Sequence, residues 1–193
     1  MTDMRVLMLH GLGNHRPHEH WMWWLGERLR RDRVPVQHPQ LPNPDAPTFE
    51  AWREIALAEL EMLAGGGERV LLTHSLSCVL WARIAPELPE SLRPHRVALI
   101  APPSADRLAT VLPGFPYAED VDLSEVASGR VVARERDPYR HVPVADVASR
   151  WGLPSIELPG EGHLNHEDGH GAWPAALAWT LTGDDQAWSV TAG

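Results

Sequence analysis

The chain has 193 residues, 44% hydrophobic and 22% charged, which supplies a core for one packed domain and excludes a disordered chain. Its net charge of −9, from 17 basic and 26 acidic side chains, argues against a nucleic-acid partner held through its phosphates. A single cysteine, Cys78, cannot close an internal disulfide, and the first apolar run is too short for a signal peptide or a membrane span; a cytoplasmic protein with no membrane partner is expected.

Val6 to Leu9 is an unbroken apolar run that stops at His10-Gly11-Leu12-Gly13, the pattern of a buried strand feeding a glycine loop. A helix is expected over Pro17 to Arg33, with Trp21, Trp24, Leu25 and Leu29 on one side and arginines gathered towards its C-terminal end. Val34-Pro35-Val36 begins a second strand, and Gln40 to Pro47 is a proline-rich loop. Thr48 reads as an N-cap for a helix carrying Phe49, Trp52, Ile55, Leu60 and Leu63, closed by Gly65-Gly66-Gly67.

Val70 to Leu72 is the third strand. It halts at Thr73-His74-Ser75, and a helical spacing of Leu76, Val79, Leu80 and Ile84 starts at once. Strand, sharp turn and helix with a serine at the turn define the context of a nucleophile elbow. Ser75 is the candidate nucleophile. The backbone amide of Leu76, at the helix N-terminus, is a candidate oxyanion donor. The flanking positions, usually glycine, are Thr73 and Ser77 here.

Val97 to Ala101 is a fourth strand, followed by an irregular stretch from Ser104 to Gly129. Val131 to Arg134 is a fifth strand, ending before Asp137-Pro138. A helix from Pro143 through Trp151 leads to a sixth strand, Ser155 to Leu158, and then Gly160-Glu161-Gly162-His163. A last helix covers Pro174 to Leu181, with a loosely held tail expected after Gly183. Unbroken apolar strands alternating with helices predict one α/β domain built on a mostly parallel six-stranded sheet covered on both faces.

In such sheets the working residues gather beyond the carboxyl ends of the strands. Ser75, Asp137 and His163 stand there in the chain order of an α/β-hydrolase triad. Serine needs a base to remove its proton, imidazole titrates near neutrality, and a carboxylate holds the imidazole tautomer. Glu135, Asp120 and Asp122 are rival acids; His141, His166 and His170 are rival bases. The histidines at 10, 15, 18 and 20, and those at 163, 166 and 170 with Glu161, Glu167 and Asp168, invite a metal reading, but neither group has the helical His-Glu-x-x-His spacing or any cysteine ligand, so no metal or cofactor is expected. Trp52, Trp81 and Trp179 read as core. Trp21, beside the first glycine loop, is a candidate pocket wall, as are Phe115 and Tyr117 in the irregular stretch.

Assembled, these residues resemble the family of small serine hydrolases that includes retinoblastoma-binding protein 9 and its bacterial relatives. The resemblance rests on His10-Gly11, His20-Trp21, Trp24-Leu25, His74-Ser75-Leu76, Asp137-Pro138-Tyr139, Trp151-Gly152, Gly162-His163-Leu164-Asn165 and Trp173-Pro174. It implies a compact α/β-hydrolase without a large cap, with Ser75 as nucleophile, Asp137 as acid, His163 as base, and the amides of Leu12 and Leu76 as the oxyanion hole. The expected partner is a small-molecule ester or amide, cleaved through an acyl-enzyme; no protein partner can be read. The alternative is a non-catalytic binding protein that keeps the fold while its elbow, without glycines, has decayed.

Overall fold

A computed structural model describes residues 4–189. Its sheet has the strands β1 (Met4–Leu9), β2 (Val36–Gln37), β3 (Glu68–His74), β4 (Arg96–Ile100), β5 (Ser128–Arg136) and β6 (Ser155–Glu161), in the order β2-β1-β3-β4-β5-β6. Every neighbouring pair is parallel. The register sets Leu9 beside Thr73, His74 beside Ile100 and Arg136 beside Glu161, so the carboxyl ends of the central strands open on one edge.

Period-two alternation divides the strand side chains between two cores. Leu7, Leu9, Leu71, Leu99 and Val131 face the helices α2 (Phe49–Leu63), α3 (Leu76–Ile84) and α5 (Val144–Arg150). Val6, Met8, Val70, Leu72, Ala98 and Val132 face α1 (Trp21–Arg31) and α6 (Pro174–Thr182). Thr48 caps α2 as expected, its hydroxyl accepting from the Ala51 amide at 3.3 Å. The first helix is shorter than its pattern: Pro17 to His20 forms a turn, and the His20 ring caps the helix by accepting from the Met22 amide at 3.2 Å.

Two further expectations change. The stretch after β4 is not wholly irregular, because Ala105–Val111 forms a two-turn helix, α4. The tail is not loose as far as Ser189: Asp185–Ser189 makes a 3-10 turn that packs Trp188, 4% exposed, against Trp173 and Trp179. Asp185 anchors that turn by accepting from Arg130 at 2.5 Å and from Trp179 at 3.3 Å. The remainder of the expected loose tail, 190–193, lies outside the described residues.

Candidate active site

Ser75 sits between β3 and α3 with φ 54° and ψ −118°, a conformation unfavourable for a residue with a Cβ. The strain is held from both sides: the Ser75 amide donates to the Ile100 carbonyl at 2.9 Å, and its carbonyl accepts from the Cys78 amide at 2.9 Å. Gly11, beyond β1, presses against the same turn; a Cβ there would stand 2.7 Å from the Ser75 Cβ and 3.2 Å from the His74 carbonyl oxygen. No other residue type fits at position 11 without moving the elbow.

Thr73 and Ser77 both find partners inside the elbow. The Thr73 hydroxyl donates to Cys78 Sγ at 3.3 Å, and the Ser77 hydroxyl donates to the His10 carbonyl at 2.5 Å. The second bond ties the start of α3 to the loop after β1. Cys78 is fully buried and its thiol is pushed up to about 12 by desolvation, so it is held as an unreactive thiol.

His163 follows β6 through Gly162, whose φ of 116° turns the chain back over the sheet edge. Its Nε2 lies 2.7 Å from Ser75 Oγ, and its Nδ1 lies 2.9 Å from both carboxylate oxygens of Asp137. Asp137, directly after β5, has its side chain fully shielded from solvent. A carboxylate at Nδ1 fixes the proton on that nitrogen, which leaves Nε2 to accept from the Ser75 hydroxyl. The Asp137 carboxylate also accepts from the Tyr139 amide at 2.9 Å, and the Tyr139 ring lies 4.5 Å from the imidazole. His163 is held by its backbone too: its amide donates to the Asp168 carboxylate, and its carbonyl accepts from His74 Nε2 at 2.9 Å. The structure thus brings together Ser75, Asp137 and His163 from three separate strand ends.

A cavity of about 150 Å³ opens over Ser75. Leu12 and Leu76 line it, on either side of the serine in the fold. Its lining also includes His20, His74, Tyr139 and, from the α4 segment, Pro103, Arg107, Leu108 and Val111, with Asn165, His166 and Glu167 from the loop after β6. Nothing in the sequence pattern marked the α4 wall. The three side chains expected as pocket walls lie elsewhere. Phe115 is core, edge-on to Phe49 and Trp52. Tyr117 packs on Trp151 and donates to the Pro103 carbonyl at 3.2 Å.

Trp21 is fully buried under the site, edge-on to His74, and its indole N–H donates 2.9 Å to the carbonyl of Leu164, next to His163. It supports the His163 loop from below. Trp21→Ala is expected to cost about 3–5 kcal/mol, measured by urea unfolding. A loss below about 1 kcal/mol would place the ring outside the core.

The other histidines serve separate local purposes. His15 pairs with Asp45 at 3.0 Å on the surface, and His18 stacks on Trp23 at 4.2 Å. His10 accepts at Nε2 from the Leu41 amide at 2.9 Å, so its Nδ1–H donates to the Gly11 carbonyl at 2.9 Å and fixes the loop after β1. Among the described residues, no three His, Cys, Asp or Glu side chains are grouped to hold a metal ion.

Burial holds His10 down at about 4 and His20 and His38 at about 3, and lowers His74 well below the usual imidazole range. These rings are neutral in the folded protein and free to protonate when it unfolds. The unfolded chain therefore binds more protons below about pH 6.5, and stability falls as pH drops from there towards 4. Each such ring contributes a slope of up to about 1.4 kcal/mol per pH unit. Urea midpoints at pH 7.5 and 5.0 check this; carboxylates titrate too low to mimic it. Equal midpoints would contradict it.

The parallel six-stranded sheet with helices on both faces is the fold of an α/β-hydrolase. Over residues 6–180 the sequence matches the family described as serine hydrolase, and the chain belongs to that family. Among solved structures it is similar to the ydeN gene product of B. subtilis (TM-score 0.76, 23% identity), covering 97% of this chain and 100% of that one. A YdeN-like hydrolase from Pectobacterium atrosepticum gives a TM-score of 0.70 at 18% identity, covering 93% of this chain and 90% of that one. A monoacylglycerol lipase from Paleococcus ferrophilus gives 0.57 at 16% identity, covering 93% and 95%. At these identities the likeness is one of fold. Among curated proteins the sequence finds no match. No helix among the described residues is long and apolar enough to cross a membrane.

Proposed function

We propose that the protein hydrolyses small carboxylic esters, and amides more slowly, through an acyl-enzyme on Ser75. The observation that carries this reading is the unbroken chain from Ser75 Oγ to His163 Nε2 at 2.7 Å and from His163 Nδ1 to Asp137 at 2.9 Å, on a strained elbow. His163 takes the hydroxyl proton as Ser75 attacks the carbonyl carbon, and Asp137 stabilises the imidazolium that forms. The amides of Leu12 and Leu76 receive the oxyanion. His163 then protonates the departing alkoxide. Water, deprotonated by the same ring, releases the acid and restores Ser75.

The substrate class follows from size. A cavity of about 150 Å³, with no large cap above it among the described residues, suits a short acyl chain. The family and the lipase-like fold neighbour support hydrolysis in general. The binding-protein alternative rested on Thr73 and Ser77; both fit the elbow with their hydroxyls bonded, so neither favours decay. A series of p-nitrophenyl esters from acetyl to octanoyl tests the proposal. The acetyl to butyryl members should give the highest kcat/KM, with about a tenfold fall by octanoyl. A profile that rises through octanoyl would contradict it.

A further inference from the structure

Arginine supplies all 17 basic side chains of this protein, and ten of them are at least partly buried. Nine of those ten donate to a carboxylate or a backbone carbonyl among the described residues. Arg107 is the exception. It projects from α4 into the wall of the cavity that holds Ser75, its Nε is buried, and it has no hydrogen-bond or ion-pair partner among the described residues. A guanidinium that is half-removed from water and left unpaired carries a desolvation cost that an anion would relieve.

The neighbouring acids do not supply that anion. Asp106, next in the chain, is engaged by the Ser104 hydroxyl at 2.6 Å and the His141 ring at 2.7 Å. Glu167, which lines the same cavity, is exposed to water and accepts from Asn165 at 3.0 Å. His20 and His74, which share the cavity, are held neutral by burial. Arg107 is therefore the cation that the cavity wall offers to a substrate. Its planar fork matches a carboxylate, and it stands beside the apolar Leu108 and Val111, which suit the short chain between that carboxylate and the scissile ester.

We infer that Arg107 selects esters that carry a carboxylate, binding that group while Ser75 attacks the ester carbonyl. The inference rests on the reading of Ser75 as nucleophile and narrows its substrate class. The carboxylate belongs either to the acyl part or to the alcohol part, and two matched pairs separate these. Monomethyl succinate against dimethyl succinate places the charge on the acyl side. 4-Acetoxybenzoate against its methyl ester places it on the alcohol side.

The native enzyme should favour the anionic member of one pair by about tenfold or more in kcat/KM. In Arg107→Gln that ratio should collapse towards one, mainly through KM, and Arg107→Lys should recover part of it. Comparing ratios between native and variant cancels the intrinsic reactivity of each ester. A native ratio at or below one in both pairs would overturn the assignment, as would a ratio that survives Arg107→Gln. If a fluorophosphonate labels Ser75 and neutral esters are cleaved without any charge preference, only the role of Arg107 falls. If Ser75 is not labelled and no ester is cleaved, both readings fall.

Discussion

Ser75→Ala should lower ester turnover by about 10⁶-fold, because triad members act as a unit and little chemistry survives without the nucleophile. The substitution removes only Oγ. The Ser75 amide and carbonyl keep their bonds to Ile100 and Cys78, so the elbow and its helix remain. Relief of the hydroxyl–imidazole contact leaves His163 paired with Asp137. The variant should therefore unfold at a urea midpoint close to that of the parent while kcat for p-nitrophenyl acetate falls to background. A loss below about tenfold would move the nucleophile elsewhere. Adding His163→Ala to Ser75→Ala should cost little more, since the first change already breaks the unit.

Asp137→Asn should reduce kcat by about 10⁴-fold with little effect on KM. The shape of the side chain is kept, but an amide offers the His163 ring one acceptor and one donor where the carboxylate offers two acceptors. If the amide nitrogen faces Nδ1, the imidazole is driven to the tautomer with its proton on Nε2, which can no longer accept from Ser75. The Tyr139 amide competes for the remaining oxygen, since it donates to the same Oδ1 at 2.9 Å. The loss of a full negative charge also leaves the imidazolium unstabilised in a site shielded from water. Rate measurements over a substrate range separate kcat from KM. A fall below about tenfold would leave Asp137 as a turn residue before Pro138 and nothing more.

Much of this site was legible because local chemistry repeats its signal along the chain. Unbroken apolar runs at Val6–Leu9 and Val70–Leu72, short and each halted by turn residues, read as strands buried on both faces, and the change of period at Ser75 marks the elbow. Three functional residue types each following a strand were enough to nominate Ser75, Asp137 and His163. What the sequence did not reveal is decided by contacts between distant segments. α4 has seven residues, lies between Pro102-Pro103 and Pro113, and buries only Leu108, so it carries no apolar stripe to read. Arg107 was hidden with it. Phe115 and Tyr117 are aromatic residues in the same stretch, and nothing local distinguishes a ring turned into the core from one turned to the cavity. The tail after Gly183 is polar enough to read as loose; as far as Ser189, Trp188 holds it by packing on Trp173, and Asp185 by bonding to Arg130. Thr73 and Ser77 depart from the glycine pattern, and only their partners, Cys78 and His10, explain how the elbow accepts them.

The most direct measurement is the intact mass of the protein after reaction with a fluorophosphonate, followed by peptide mapping. The native protein should gain one adduct, located on Ser75, and lose its esterase activity in proportion. Ser75→Ala should gain none. Equal labelling of the two proteins, or an adduct mapped to another side chain in a folded and active native protein, would contradict Ser75 as the nucleophile.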